Sequence, residues 1–425
     1  MSISRRKFAH LLGAGAAAAF VRPAFCSAKL SEHIGATGGV VRLSANENPY
    51  GPSPKALKAM TDSFSLTCRY PDEHNNVLID RLARLNGVNH DQILLGGLLS
   101  SYQLTSDKRL LSLAEDLGNR LLPVFNSPTG MPYAYVNLRT GQTRGAVTNP
   151  AETGTLLLEF GTLSKLTGRP VFYEKAKRAL VETFKRRSQL GLVGQSINVE
   201  TGAWTNTDSH ISGGIDSYYE YLWKCWLLFG DNDCRGMWEA SIPAVNKYLA
   251  DETRSGLWYG HAEMQTGKRT ETTYGALDAF FPGLLALSGD LARARRLQAS
   301  SFKMWDLHGI EPEILDYKTM HVIAGSYHLR PEIIESTYYL YHYTGDPEYR
   351  QKGEKLFDDF VKYCRTESGY AALADVTSKQ QLDEMESFVL AETFKYFYLL
   401  FAPAETLEFD KVIFNTEAHP LRRIP

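Results

Sequence analysis

From about residue 98 onward, strongly apolar stretches alternate with more charged stretches along the chain. The apolar stretches at 156–160, 218–223, 333–343 and 388–401 are predicted to be buried helices, whereas 171–187 and 348–364 have a single apolar face. Short helix-breaking junctions recur about every sixty residues, a period that suits a helical hairpin with its loops. The junctions lie at Thr105–Asp107, Thr167–Pro170, Phe229–Asp231, Ser288–Asp290, Thr344–Pro347 and Ala402–Pro403.

The junctions have the chemistry of helix ends. A glycine where one helix stops, followed by Asp or Pro where the next one opens, is a common capping pattern. Apolar helices alternating with charged ones predict an all-α fold, an α/α barrel with inner helices around an axis and outer helices facing water. A straight helical solenoid has the same periodicity and remains an alternative. Residues 40–96 do not share the period; they contain a turn-rich loop at 41–52 and candidate helices at 56–64 and 77–85.

Composition narrows the class of protein. With 44% hydrophobic and 22% charged residues, the chain has the make-up of a soluble globular protein. A net charge of −2 gives no support for binding nucleic acid or an anionic membrane surface. Aromatic residues reach 12%, which suits a sugar site as well as a large core. The five cysteines form no CxxC pair and no metal-binding spacing.

The N-terminus has the pattern of an export signal. Arg5 and Arg6 precede a mildly apolar run at 9–20, which is typical of a twin-arginine (Tat) signal. The run is too short to span a bilayer, and small residues around Cys26 offer a cleavage site. We therefore expect a signal over residues 1–28, export to the periplasm or outside, and no stable membrane insertion after its removal.

Carboxylates recur near the start of the apolar helices, at similar distances before each junction. Because the inner helices of a barrel run parallel, equal offsets place these acids at similar heights around one cavity. Such a ring suits cleavage of a glycosidic bond by two facing carboxyl groups, or a hard cation held by oxygen ligands. Any single acid is more simply a cap or an ion-pair partner, but six together favour function because buried charges are costly. The six are Glu159, Asp216, Glu220, Glu332, Glu335 and Glu392.

Two local motifs add to the ring. In Arg330-Pro331-Glu332, the proline suits the first turn of a helix, and Arg330 is expected to hold Glu332 ionised or to bind a sugar hydroxyl. An ionised Glu in that position suits a general base acting on water. Thr416 and Glu417 follow a strand-like stretch at 411–414, which we expect to plug the barrel floor. On residues alone this pair is a weak metal candidate.

Seven segments are similar to the sequence motifs of one known family and occur in the same order. They are 97–102 (GLLSSY), 121–133 (LLPVFNSPTGMPY), 216–221 (DSYYEY), 280–284 (FFPGL), 329–336 (LRPEIIES), 385–393 (MESFVLAET) and 414–420 (FNTEAHP). Over about residues 96–421 the chain resembles glycoside hydrolase family 47, the class I α-mannosidases, and 279–283 is most similar to the ER degradation-enhancing mannosidase-like branch. The resemblance implies an (α/α)7 barrel that trims terminal α-1,2-linked mannose from oligosaccharides with inversion and depends on Ca²⁺.

The resemblance also implies residue roles. Glu332 is implied to be the general base and Asp216 a second catalytic carboxylate. Thr416 is implied to hold Ca²⁺ through its hydroxyl and carbonyl oxygens, with Glu417 beside it. The residues implied to shape the mannose site are Arg330, Glu335, Phe388, Glu392, Glu159 and Glu313.

One departure from the family bears on activity. The family carries a Glu, its usual general acid, and an Arg just before the segment matched by 96–99, and these slots fall near Asn89 and Ile93. Without the general acid we expect turnover to be slowed by a factor of about 10²–10⁴, with Asp216 or water as proton donor. A non-catalytic protein that binds mannose is the alternative.

Residues 41–96 instead resemble the start of a histidinol-phosphate aminotransferase, at 46–52 (NENPYGP), 69–74 (RYPDEH) and 93–96 (ILLG). The Schiff-base lysine motif and most cofactor-binding residues of that family are absent, so aminotransferase activity is not expected. We therefore expect a signal at 1–28, an aminotransferase-like fragment at 29–96, and a mannosidase-like barrel at 97–425 that lacks the family's first helices. A barrel open on one side would expose apolar surface, which predicts marginal stability or self-association.

Overall fold

A computed structural model describes residues 90–423, and these residues form twelve α-helices joined by short strands. In chain order the helices are α1 (His90–Thr105), α2 (Lys108–Leu121), α3 (Pro150–Gly154), α4 (Leu157–Thr167), α5 (Pro170–Lys185), α6 (Asp216–Phe229), α7 (Asn232–Ala244), α8 (Phe281–Leu287), α9 (Leu291–Asp306), α10 (Glu332–Thr344), α11 (Pro347–Cys364) and α12 (Phe394–Phe401). A π-helical turn, Val389–Thr393, leads directly into α12.

The helices form two layers. Helices α1, α4, α6, α8, α10 and α12 make the inner layer, and all but α12 pack against the outer helix that follows along the chain. Inner neighbours pack side by side in the order α1, α4, α6 and again α8, α10, α12. Between α6 and α8, the indole N–H of Trp223 donates to the carbonyl oxygen of Leu287 at 3.2 Å. One large cluster of buried apolar side chains runs through both layers, which confirms the predicted α/α arrangement.

The helix ends follow the capping pattern of the junctions. Gly168, Gly230 and Gly345 end α4, α6 and α10 in the left-handed region, with φ of 71°, 70° and 64°. The side chains of Asp231 and Asp346 then accept backbone N–H groups in the first turns of α7 and α11. These caps turn the chain sharply from each inner helix to its outer partner.

Short antiparallel strands fill the connections from outer to inner helices, a feature the sequence pattern did not reveal. The strands are β1 (Tyr135–Val136), β2 (Thr143–Arg144), β3 (Val147–Thr148), β4 (Ser196–Asn198), β5 (Trp204–Asn206), β6 (Asp208–Ser209), β7 (Ala250–Thr253), β8 (Gly256–Tyr259), β9 (His261–Glu263), β10 (Arg269–Glu271), β11 (Thr273–Gly275), β12 (Ile314–Asp316), β13 (His321–Ala324), β14 (Leu373–Asp375), β15 (Gln380–Gln381), β16 (Val412–Phe414) and β17 (Pro420–Arg422). They form the sheets β1-β2, β3-β4-β5, β6-β9-β10, β7-β8, β11-β12-β13, β14-β15 and β16-β17. All except the last precede an inner helix, so the sheets mark the end of the barrel where inner helices begin.

The hairpin β16–β17 plugs the middle of the barrel, as expected for the strand-like stretch after the last helix. Its buried strand β16 packs against α6, and β17 packs against α1. Val412 and Ile413 share a small cavity with residues at the C-terminal ends of inner helices, including Leu227 and Leu287. The hairpin therefore enters from that end, and its turn at 415–419 points toward the helix starts. Helices that surround a central plug form a barrel rather than a straight solenoid.

Some expectations lie at or beyond the edge of the described residues. The predicted signal at 1–28, the candidate helices at 56–64 and 77–85, and most of the aminotransferase-like fragment fall outside that range. The expected boundary between residues 96 and 97 falls inside α1. Residues 90–423 supply six inner and five outer helices, so closure of the ring stays a prediction. Within the same range, no helix has the length and apolar character needed to cross a membrane.

Candidate active site

The candidate site lies where the inner helices begin and where the turn of the C-terminal hairpin ends. Asp216 and Glu332 are the first residues of α6 and α10, and the π-helical turn before α12 carries Glu392. The remaining predicted acids, Glu159, Glu220, and Glu335, lie within the first two turns of their helices. All six acids therefore lie near the starts of inner helices, and this set is called the carboxylate layer below; their equal height around one cavity stays a prediction.

Glu159 ties the layer to the hairpin. Its Oε1 atom accepts hydrogen bonds from the hydroxyl of Tyr221 at 2.6 Å and from Nδ2 of Asn415 at 2.8 Å. The backbone N–H of Thr416 donates to the same Tyr221 hydroxyl at 3.5 Å. Since Glu159 is fully buried, these bonds fix the turn against α4 and α6. Glu159 therefore positions the hairpin turn, and the sequence did not reveal the parts of Tyr221 and Asn415.

Asp216 is held by neutral donors alone. Its Oδ1 atom accepts from the backbone N–H of Ser217 at 2.7 Å and from the Ser217 hydroxyl at 3.2 Å. Burial, together with the nearby carboxyls of Glu220 and Asp278, raises the pKa of Asp216 to about 7. At neutral pH this carboxyl therefore keeps its proton in a substantial fraction of molecules, which suits a proton donor.

Glu332 is predicted to have the opposite role, which is to accept a proton. Its Oε2 atom is buried and has no hydrogen-bond partner among residues 90–423. Burial raises the pKa of Glu332 to about 8, and the charge of Arg330 opposes only part of that rise. Arg330 favours the ionised form of Glu332 by its charge alone, and its role toward Glu332 stays a prediction. A buried carboxylate oxygen with an open lone pair is suited to receive a proton from water.

Arg330 is paired instead with Glu313. Its Nε and Nη2 atoms donate to the two oxygens of Glu313 at 3.0 and 2.9 Å, a two-point pairing that fixes the plane of the guanidinium. The guanidinium carbon lies 5.7 Å from the ring centre of Phe388. Glu313 thus orients Arg330, and Arg330 in turn lies over Phe388, the aromatic residue of the predicted mannose site.

Glu335 and Glu220 lie deeper in the barrel. The hydroxyl of Tyr396 donates to Oε1 of Glu335 at 3.0 Å, while burial raises the pKa of Glu335 to about 7. Glu220 forms an ion pair with Lys224 one turn along α6, and both side chains are almost fully buried. For Glu220 the simpler reading as an ion-pair partner therefore holds. Lys224 is a buried cation that the sequence reading missed.

The hairpin turn adds one acid, Glu417, next to Glu392 of the π-helical turn. Burial raises the pKa of Glu417 to about 7, and burial together with Glu417 raises the pKa of Glu392 well above its ordinary range. The charge of Asp216 acts on Glu417, and the charges of Glu417 and Glu332 act on Glu392, so Glu417 and Glu392 lie near the two predicted catalytic acids. Lys395 donates to the carbonyl oxygen of Ala418 at 2.5 Å. Burial lowers the pKa of Lys395 to about 8.

Some buried groups near the layer gave no signal in the sequence. Both oxygens of Glu311 are buried without a hydrogen-bond partner in the described part of the chain. Burial, and then the neighbouring Glu332, raises the pKa of Glu311 well above its ordinary range. Asp278 is also fully buried, and burial raises its pKa to about 6. Glu311 and Asp278 both lie before inner helices, outside the positions at which acids recur before each junction. The sequence pattern therefore did not predict them.

The barrel is similar to solved structures of sugar-active proteins. The alpha-1,2-mannosidase from Trichoderma reesei superposes with a TM-score of 0.70 at 28% sequence identity, covering 78% of this chain and 80% of that chain. A D-mannose isomerase superposes with a TM-score of 0.60 at 14% identity, covering 75% of this chain and 86% of that one. The second likeness concerns the fold alone. The first supports the expected (α/α)7 type of barrel.

Curated relatives are similar over most of the chain. Alpha-mannosidase I MNS5 of Arabidopsis thaliana is 41% identical, over 82% of this chain and 62% of that protein. ER degradation-enhancing alpha-mannosidase-like protein 2 of Homo sapiens is 38% identical, over 77% of this chain and 62% of that protein. Human mannosyl-oligosaccharide 1,2-alpha-mannosidase IB is 36% identical, over 77% of this chain and 55% of that protein. The chain thus spans about three fifths of the length of these relatives.

These relatives correct the expectation about location. They come from plants, animals and fission yeast, and several are named for their part in degradation at the endoplasmic reticulum. Export by a bacterial Tat route to the periplasm is contradicted by this set of relatives. The twin-arginine prediction rested on a short stretch, Arg5 and Arg6 followed by apolar residues. Such a stretch carries little information about which export pathway would recognise it.

The family match covers the whole helical barrel. The model of Glycosyl hydrolase family 47 matches residues 93–423, which includes each predicted site residue. The likeness to mannosidase-like proteins of the ER degradation-enhancing branch agrees with the segment at 279–283. The aminotransferase-like stretch precedes nearly all of this match. The chain belongs to glycosyl hydrolase family 47.

Proposed function

We propose that this chain hydrolyses terminal α-1,2-linked mannose of an oligosaccharide, with inversion and with calcium bound near the hairpin turn. The observation that carries the proposal is that Asp216 and Glu332 each open an inner helix, with their charges acting on Glu417 and Glu392 beside the hairpin turn. Two carboxyl groups that flank a sugar are what cleavage of a glycosidic bond requires. Membership of family 47 and relatives named as mannosidases support the same reaction.

The reaction needs one proton removed and one supplied. The Glu332 carboxylate takes a proton from water, and the water oxygen forms a bond to the anomeric carbon from the face opposite the leaving oxygen. The bond from carbon to the leaving oxygen breaks, and its electron pair stays on that oxygen. The leaving oxygen takes a proton from Asp216 or from a second water. Free mannose of inverted configuration and the shortened glycan are the products.

Arg330 and Phe388 orient the sugar in this proposal. The ring of Phe388 offers an apolar surface to a pyranose face, and the guanidinium above it offers donors to hydroxyl groups. Glu313 occupies both oxygens in holding Arg330, so it acts through Arg330 rather than on the sugar. Glu335 and Glu392, deeper in the layer, complete the polar wall.

The donor set at the turn fits a hard divalent cation. Thr416, Glu417 and Glu392 offer only oxygen atoms, burial raises the pKa of both acids, and the charge of Glu417 raises that of Glu392 further because too few cations neutralise the pair. Lys395, whose nitrogen is already bonded to the carbonyl of Ala418, offsets part of that charge. Thr416 would hold calcium through its hydroxyl and carbonyl oxygens, with Glu417 and Glu392 around it. When bound, the cation would supply positive charge toward sugar hydroxyl groups.

Turnover is expected to be slow because the slots of the family's general acid fall near Asn89 and Ile93. Loss of a general acid costs a factor of about 10²–10⁴ when the leaving group needs protonation. The same departure favours a second candidate function, binding of mannose without cleavage. That function would use Arg330, Phe388 and Thr416 but would not need Glu332.

Mannose release separates the two functions. Purified chain is incubated with α-1,2-mannobiose and with α-mannosyl fluoride, each with calcium and with a chelator. Fluoride leaves without a proton, so we expect calcium-dependent release from both substrates and faster release from the fluoride. Glu332→Gln should lower both rates by about 10²–10⁴, and Asp216→Asn should lower only the rate on mannobiose. Glu405→Gln, at an exposed position, is the matched control.

Folded chain that binds methyl α-mannoside but releases nothing from either substrate would establish the binding function and exclude the hydrolase. Release that survives Glu332→Gln would exclude the assigned base. Circular dichroism of each variant shows whether the fold is intact.

A further inference from the structure

Two strands beside the catalytic layer bring together Asp208, His210 and His261. Strand β6 pairs antiparallel with β9, with Asp208 opposite Glu263 and Ser209 opposite Ala262. The two histidine rings lie 4.4 Å apart between centres. One ring nitrogen from each histidine and one carboxylate oxygen of Asp208 all lie within 4.8 Å of one another. None of these residues has a part in the proposed reaction.

His210 carries a buried donor without an acceptor. The ring is 2% exposed, and Nδ1 accepts the backbone N–H of Ser212 at 3.1 Å. A neutral imidazole that accepts at Nδ1 carries its proton on Nε2. This Nε2 is buried with no hydrogen-bond partner among residues 90–423. A buried N–H without an acceptor is costly, so the group calls for an oxygen atom from a bound molecule.

His261 and Asp208 supply complementary polar groups. The Nδ1 atom of His261 lies 2.6 Å from Oδ2 of Asp208, and Oδ1 of Asp208 accepts from the hydroxyl of Thr270 at 2.7 Å. This pairing fixes the His261 ring and leaves its Nε2 for another partner. Both side chains remain partly exposed, at 17% and 22%. The cluster therefore offers a fixed N–H next to polar groups that a ligand can reach.

Ser212 connects this cluster to the catalytic layer. Its N–H bonds to His210, and its carbonyl oxygen accepts the backbone N–H of Asp216 at 3.0 Å. Its hydroxyl lies close enough to the buried carboxyl of Asp278 to lower the pKa of that group. Ser212 therefore links the His210 ring to the backbone of Asp216, a proposed catalytic acid. The cluster also lies on the sheet-bearing end of the barrel, opposite the hairpin that closes the floor.

We propose that His210, His261 and Asp208 bind hydroxyl groups of the sugar that carries the terminal mannose. The inference rests on the proposed function. In the part of the barrel that residues 90–423 form, the hairpin fills the floor, so the rest of a glycan whose terminal mannose lies in the carboxylate layer can leave by the sheet-bearing end. A sugar hydroxyl accepts from the Nε2–H of His210 while donating to a neighbouring acceptor, which matches the polar groups present.

The same three residues could chelate a metal ion, but the contacts favour the sugar. A metal on either nitrogen of His210 requires its ring to give up the amide bond from Ser212 or to lose a further proton. A sugar hydroxyl requires no such change. Binding of zinc is therefore kept as a competing outcome of the experiment.

The test is calorimetric titration of the full chain with two ligands. One is sulfur-linked α-1,2-mannobiose, which resists cleavage and fills both sugar positions, and the other is methyl α-mannoside, which fills only the first. We expect His210→Leu to weaken the disaccharide by about tenfold, as for loss of one hydrogen bond, and to leave methyl α-mannoside unchanged. His210→Gln, which keeps an N–H donor, should restore part of the affinity. His321→Leu, at an exposed position on β13, is the control.

The outcomes are distinct. Equal weakening of both ligands would show a merely structural role for His210, and unchanged disaccharide affinity in His210→Leu would also overturn the proposal. Zinc binding that is lost in His210→Leu while disaccharide affinity stays unchanged would make the cluster a metal site instead. If the wild-type chain binds neither sugar, this inference and the proposed function are overturned together. If His210→Leu loses affinity for the disaccharide alone, that result supports this inference by itself.

Discussion

Single buried acids set the protonation of the candidate site. Removal from water disfavours the charged form of a carboxyl, which raises the pKa of Asp216 to about 7 and that of Glu332 to about 8. No cation pairs directly with either side chain in the described part of the chain, since Arg330 is committed to Glu313. The two acids therefore titrate within the physiological range. A change in pH there changes the fraction of Asp216 that can donate a proton and the fraction of Glu332 that can accept one.

This titration predicts opposite pH limbs for two substrates. Glu332 must be ionised, so hydrolysis of α-mannosyl fluoride should rise with pH through about 8 and then level off. Hydrolysis of α-1,2-mannobiose also needs protonated Asp216, so its rate should be highest between about pH 7 and 8 and fall above about pH 8. The measurement is kcat/KM against pH for both substrates at fixed calcium. A falling limb on the fluoride would contradict the assignment of Asp216 as the proton donor.

Residue types and spacing predicted the acids but not their partners. Asp216, Glu332 and the other ring members sit at fixed positions in regular helices, so sequence offsets translate into height. Glu313 lies in a loop 17 residues before Arg330, and no periodicity links the two. His210 and His261 meet only because β6 pairs with β9, and such short strands leave almost no pattern in the sequence. Contacts between distant loops therefore escaped prediction.

Helices were predictable as elements because local chemistry marks their ends. The αL glycines and the Asp caps act within a few residues, so they are visible in the sequence. The last inner element differs, since the predicted helix 388–401 opens with a π-helical turn before α12. That turn carries Glu392. A π-helical turn is wider than an α-helical one and changes the direction of its side chains, and the amino-acid composition does not reveal it. Regular helix was predicted there because apolar spacing alone does not distinguish the two.

The capping glycines give a prediction for stability. Gly230 ends α6 at φ 70° with no neighbouring atom within 4 Å, so a methyl group there meets backbone strain and no clash. Gly230→Ala should lower the free energy of unfolding by about 1–2 kcal/mol. Gly236→Ala, inside α7 with equally open surroundings and no positive φ, should raise it by about 0.5–1 kcal/mol. Urea denaturation of both variants measures the difference, and equal effects would mean that φ at Gly230 carries no strain.

On the scale of the whole molecule, the barrel concentrates negative charge around its central hairpin. The inner helices carry their acids near their starts, and the turn adds Glu417. In residues 90–423 the lysines of this region are the buried Lys224 and the partly buried Lys395, and each already has a partner. The remaining charge must be met by protons or by a bound cation.

Calcium should therefore stabilise the fold. A ligand that binds only the native state at 100 times its Kd adds about 2.7 kcal/mol, so Tm should rise when calcium replaces chelator. Thr416→Val removes a hydroxyl of the proposed ligand set and should abolish most of this rise, while Thr416→Ser should keep it. Differential scanning calorimetry with calcium, magnesium and chelator measures the effect. An equal rise in wild type and Thr416→Val would place the cation elsewhere.

The central hairpin also fixes when the site can exist during synthesis. The inner helices leave the ribosome one after another, and each can pack on its predecessor as it emerges. Asn415 and Thr416, which Glu159 and Tyr221 hold in place, are made only after α12. Nascent chains that end before the hairpin therefore carry every helical carboxylate and no floor. Sugar binding should begin abruptly, with the release of the last strand, rather than accumulate helix by helix.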